Sequence, residues 1–140
     1  MKRNARGFTL MELMVVIVIV AILAAVAVPL YINYVKDAQR TEAKGAIGAV
    51  ITAEQTYFQQ NATYASLPDP GFVSSPGPGS QNGLNCDLTE ALVNWKITVD
   101  QADAAGYSVS AVGKTGKQTA GLTVNYEYKR NGTGAGFTTP

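Results

Sequence analysis

A carboxylate stands where an apolar helix would not ordinarily keep one. Glu12 is the one charged side chain between Arg6 and Lys36, and a carboxylate at mid-membrane costs on the order of 3 kcal/mol. Its place, one helical turn beyond the Gly7-Phe8 junction, gives it a use. If the chain is cut after Gly7, the amine of Phe8 becomes a cation at the head of an apolar segment. Glu12 can pair with that amine on a neighbouring helix, and a buried ion pair selects one axial register where purely apolar helices could slide. The plainer account is that the helix macrodipole and the nearby interface make the charge tolerable at this position.

No other group of residues suggests chemistry. The chain has no histidine, which removes the usual general base and imidazole metal ligand. Asp100 and Asp103 are the only near pair of acids after the central loop, too few for a calcium cage of about six to eight oxygens. No phosphate loop, nucleophile elbow or zinc spacing occurs. The expectation is a non-enzyme with no catalytic residue, no metal and no cofactor. Cys86 is the single cysteine, so no disulfide can form within the chain, and a small buried apolar role is expected for it.

The segments around Glu12 explain its setting. Lys2, Arg3 and Arg6 form a basic leader, and the run from Leu13 to Val35 carries no charge, about the length of a membrane-crossing helix of ~20 residues. An ordinary secretory signal is cut after a shorter apolar stretch, and Ala25-Val26-Ala27 could be such a site. The Gly7-Phe8 junction lies before the stretch, so a cut there keeps the helix. Three of the eleven basic residues lie in the leader, leaving eight basic against ten acidic side chains after the cut, a net of −2 before the new amine is counted. That balance does not indicate a strongly basic nucleic-acid binder. The leader places the amino terminus in the cytoplasm by the positive-inside rule.

Gly7-Phe8-Thr9-Leu10-Met11-Glu12 followed by the apolar run to Pro29 resembles the class III signal of type IV prepilins. The resemblance is dense over residues 1–60 and thin beyond. It implies cleavage after Gly7 by a membrane prepilin peptidase, N-methylation of Phe8, and an assembly role for Glu12. Many pilins also close a carboxy-terminal loop with a disulfide, a pattern from which this chain departs.

The helix is expected to continue past the membrane. Ala43, Ile47, Val50, Ile51, Tyr57 and Phe58 recur at helical spacing, with Arg40, Glu42, Lys44 and Glu54 assigned to other faces. Pro29 removes the bond to the Ala25 carbonyl and is expected to kink or loosen the helix or to be tolerated within it. Gly45 and Gly48 invite close approach by another helix or the sheet. Residues 61–91 carry the turn chemistry of an ordered surface loop, with a short helical turn within 88–93. Strands are expected at 94–99, 107–112 and 122–128. The resulting fold class is α+β, the pilin fold: a leader at 1–7, a long helix at 8–60 with about 8–35 in the membrane, and a head at 61–140 built on a small antiparallel sheet.

Among the remaining residues, Tyr31, Tyr34, Tyr57, Phe58 and Tyr64 fit packing better than an electron wire. Lys114, Lys117, Lys129 and Arg130 fit a solvated face better than a DNA site. Asn61-Ala62-Thr63 and Asn131-Gly132-Thr133 match a short glycosylation sequon that arises often by chance.

The resemblance implies a filament subunit, most simply a major one. It would be held in inner-membrane lipid as precursor, cut by the peptidase, and built by a membrane assembly platform into an extracellular helical homopolymer. Glu12, Phe8 and Pro29 are the expected assembly residues, and adhesion, motility or DNA uptake the open roles. Alternatives are a pseudopilin of a type II secretion system, disfavoured because no acid follows Glu127, and a membrane-anchored module binding DNA or a surface ligand.

The mature chain should therefore begin at N-methylated Phe8. Intact-mass analysis checks this, and a bulky replacement of Gly7 should leave uncut precursor. A start at Val28 would mean ordinary signal processing.

Overall fold

A computed structural model describes residues 7–68, 71–72, 84–132 and 134–139. They form two compact units that meet between Val35 and Lys36. Helix α1, Leu10–Asn61, supplies nearly all of the first unit and continues into the second. Then come α2, Ala91–Asn94, and strands β1, Trp95–Asp100, β2, Gly106–Gly113, β3, Thr123–Lys129, and β4, Gly134–Thr138. The strands form one antiparallel sheet in the order β1-β2-β3-β4.

In the first unit every large apolar side chain of α1 from Leu10 to Tyr34 is exposed. This helix is long and apolar enough to cross a membrane by length and composition. It runs through Pro29 without a break in its helical assignment, so the missing Ala25 bond does not unwind the turn in this subunit.

In the second unit the helix is amphipathic. Ala43, Ala46, Ile47, Val50 and Ala53 join Trp95, Ile97, Val99, Val109, Ala111 and Val124 in one core. The strands reach it by alternation: β1 buries every second residue. Leu67 and Phe72 bond along the outer edge of β1: Leu67 and Val99 exchange both backbone bonds at 2.8 and 2.9 Å, and the Phe72 N–H donates to the Ile97 carbonyl at 2.9 Å. Rings continue the core toward β4: Phe58 to Tyr64 at 4.6 Å, Tyr64 to Tyr107 at 4.7 Å, Tyr107 to Tyr126 at 6.3 Å and Tyr126 to Phe137 at 5.1 Å.

Three expectations are corrected. Glu54 does not lie on an outer face: it is fully buried, in line with Ala43, Ile47 and Val50. Among the described residues nothing lies within 4 Å of a methyl group built at Gly45 or Gly48, so the sheet is not what approaches them. A fourth strand, β4, pairs with β3; its sequence, GAGFT, lacks the alternation that marks the other three. Much of the expected loop, residues 69–70 and 73–83, lies outside the described residues.

Cys86 is buried, and burial, then the charges of Glu54 and Asp87, push its thiol up to about 11. It is a packing residue with little thiolate at neutral pH.

The glycines should separate by environment. Gly113→Ala would set a methyl 1.8 Å from the Thr119 carbonyl oxygen and should destabilise the second unit by about 3 kcal/mol. Gly45→Ala, in open helix, should stabilise it by up to about 1 kcal/mol. Thermal unfolding of the detergent-solubilised chain, followed at Trp95, reads both.

Candidate functional site

Helix α1 begins at Leu10, which makes Thr9 the residue at its cap and Glu12 the third residue inside. The first turn leaves backbone N–H groups without helical partners, and these two side chains satisfy them reciprocally. The Thr9 N–H donates to Glu12 Oε2 at 2.9 Å, the Thr9 hydroxyl donates to the same oxygen at 2.8 Å, and the Glu12 N–H donates to Thr9 Oγ1 at 3.2 Å. This is a capping box. The carboxylate therefore has a built geometry in the single subunit, oriented by the residue three places before it.

Gly7 and Phe8 precede the helix in irregular, exposed chain. A peptidase needs an unwound, accessible bond, and the Gly7-Phe8 bond has both properties. The structure brings Gly7, Phe8, Thr9 and Glu12 together within the first turn and its approach. Pro29 is elsewhere: 17 residues beyond Glu12, it lies roughly 25 Å further along the helix. Sequence reading had passed over Thr9, although a threonine three residues before a glutamate at the start of an apolar run is the capping-box signature.

Tyr31 and Tyr34 are exposed near the end of the apolar segment, just before Lys36. Rings with a polar tip at that point suit a membrane interface, so these two do not join the core as Phe58 and Tyr64 do.

The cations of the second unit do not act as one free group. Lys129 pairs with Glu127 at 2.7 Å, Arg130 stacks over Phe58 at 4.7 Å from the ring centre, and Lys114 donates to the Leu92 carbonyl. Lys117 is exposed. Asp100 and Asp103 serve the turn between β1 and β2: Asp103 Oδ1 accepts the Ala105 and Gly106 N–H groups at 2.7 and 2.9 Å, and Asp100 Oδ2 accepts the Thr98 hydroxyl at 3.0 Å. Among the described residues no three acids, cysteines or histidines stand close enough to share a metal ion.

A capped apolar helix leading into a helix-on-sheet head defines the pilin-like class of α+β subunit. Residues 2–28 match the model of the prokaryotic N-terminal methylation motif, and residues 29–121 match that of the type IV minor pilin ComP, DNA uptake sequence receptor. The chain belongs to the type IV pilin family. The type IV major pilin protein PilA of Myxococcus xanthus (strain DK1622) is 38% identical over 73 residues, covering 51% of this chain and 33% of that relative. The chain thus matches about a third of the relative's length. These are structural proteins rather than enzymes, and the methylation motif is a substrate site.

Thr9→Ala should remove both hydroxyl bonds and loosen the first turn by about 1 kcal/mol. Faster amide exchange at Leu10 to Leu13 in micelles, with residues 36–139 unchanged, is the expected reading.

Proposed function

We propose that this chain is a structural subunit of a type IV pilus, drawn from the inner membrane into an extracellular helical filament after cleavage at Gly7-Phe8. The observation that carries the proposal is an apolar helix with no cover in its own subunit, headed by an oriented carboxylate five residues beyond the cut. In the membrane, lipid covers the helix. In the filament, the same surface would be covered by copies of itself, and Glu12 would meet the Phe8 amine of a neighbour. The pair would act as a register device: of all the placements open to apolar helices, it favours the one that leaves neither charge alone. Prepilin peptidase and an assembly platform are the implied partners.

Whether the subunit is the major component is a finer question. The family model describes a minor pilin that receives DNA, whereas PilA is described as a major pilin. The second reading, a minor subunit contacting DNA, is favoured by the length of the ComP match and by exposed Lys117, Lys129 and Arg130. Two of those three cations already have intramolecular partners, so the filament-subunit reading is preferred. Relative abundance of the chain in sheared filaments separates the two readings.

Glu12→Ala and Glu12→Gln separate charge from capping. Both variants should accumulate in the inner membrane at normal levels and give few or no sheared filaments, because neither can form an ion pair with the Phe8 amine. Thr9→Ala keeps the charge and should assemble at reduced yield. Immunoblots of membrane and sheared fractions test all three. Wild-type filament yield from Glu12→Gln would remove the charge from the mechanism.

A further inference from the structure

Glu54 is the largest departure of the second unit from ordinary core chemistry. Its side chain is fully buried on the face of α1 that meets the sheet. Oε2 accepts one bond, from the Ala65 N–H at 2.9 Å. Oε1, equally buried, has no hydrogen-bond partner. A buried carboxylate satisfied on one oxygen alone is unfavourable when ionised.

The single bond reaches a strained place. Helix α1 ends at Asn61, and Ala62 turns the chain out with φ of 57°, a left-handed conformation that a residue with a β-carbon adopts at some expense. The chain then returns over the core: Tyr64 packs on Phe58 and Tyr107, the Tyr64 N–H donates to the Asp103 carbonyl at 3.3 Å, and Leu67 pairs with Val99 on the β1 edge. The Glu54–Ala65 bond thus ties the segment directly to the helix it has just left.

We propose that Glu54 is a proton-operated latch between helix α1 and residues 62–68. Protonated, it is a neutral core side chain, and the segment stays shut over the β1 edge. Ionised, it draws water to the unpartnered oxygen, and the strained turn at Ala62 opens to admit it.

Titratable groups surround Glu54 on the elements packed against it. From residues 62–68 comes the Tyr64 hydroxyl, from the chain before α2 the Cys86 thiol with Asp87 beside it, and from β2 the Tyr107 hydroxyl; Tyr126 and Tyr128 of β3 stand behind Tyr107. Arg130, beyond Tyr64, is the cation in this neighbourhood, and it stacks on Phe58. Burial outweighs the Ala65 bond and moves the Glu54 carboxyl from 4.5 up to about 7. The folded chain therefore holds a proton that the unfolded chain releases near 4.5. Its contribution to stability is full below that value, is lost as pH rises through the window up to about 7, and changes no further above it.

The test uses the full chain in detergent micelles at pH 5.5 and 8.5. Amide exchange of peptides within residues 62–68, corrected for the intrinsic pH dependence of exchange, should show protection in wild type falling roughly tenfold or more between the two values. Glu54→Gln, which cannot ionise, should keep its protection constant. Equal behaviour of the two proteins would overturn the latch. Carbon-13 titration of the wild-type carboxyl gives a second reading that does not depend on the variant's folding. A midpoint near 7 supports the proposal, and one at or below 4.5 refutes it.

Discussion

The chain is organised around an apolar surface that its own subunit never covers. From Leu10 to Tyr34 the large side chains of α1 have no core to enter, and at about 25 cal/mol per Å² such a surface cannot be left in water. It must face lipid or other protein. A basic leader and a polar start to the helix are compatible with that requirement, and the proposed cut would spare the helix. The two solvents open to the surface are nearly equivalent, because lipid tails are as apolar as the side chains of a helix bundle. Burial alone therefore gives little drive from membrane to filament, and the choice falls to the features that distinguish one helix neighbour from lipid. Under the proposed function, Glu12 would be such a feature.

The second unit solves a different problem. It must bury one stripe of a helix that is uniformly apolar in its first half, and it does so with a sheet of modest size and a folded-over segment. With a single cysteine, packing and hydrogen bonds carry the structure. The aromatic series from Phe58 to Phe137 extends the core across the sheet, while Trp95, Ile97 and Val99 fill the space beneath α1. Glu54 sits in this apolar surrounding as the one buried carboxylate among the described residues. Its position is understandable only with the segment it holds, since leucine there would pack equally well and leave the Ala65 N–H unpaired.

Much of this architecture was legible because periodicity and turn chemistry agree with tertiary packing. The pattern of Ala43, Ile47 and Val50 marked the buried face, and the β1, β2 and β3 segments announced themselves by alternation between glycine-bearing turns. Glu54 was misread because its charge was given more weight than its spacing, which continues the same stripe. Gly45 and Gly48 invite close approach by a helix or by the sheet, and among the described residues the sheet does not supply it. β4 had no signal of its own: its glycines form strand because β3 offers an open edge, a tertiary effect that propensity does not contain. At the amino terminus the sequence marks the carboxylate, while its partner Thr9 lies within the Gly7-to-Glu12 motif and shows its capping role in the structure.

That partner changes what Glu12 can do. Capping and intersubunit pairing look like competing uses of one side chain, and competition would weaken the case for either. The geometry separates them. Both bonds from Thr9 converge on Oε2, and a carboxylate offers about four acceptor positions across its two oxygens. Oε1 is thus left by the cap with its lone pairs available to an amine. A carboxylate already held by its own helix also loses less side-chain freedom on meeting a partner, which lowers the entropic cost of pairing. Under the proposed pairing Thr9 would act as a positioning residue. It satisfies the first turn of a helix in which water is scarce, and it aims the remaining oxygen in one direction. The local cap and the proposed register pair are successive uses of the same group, and the first makes the second more favourable.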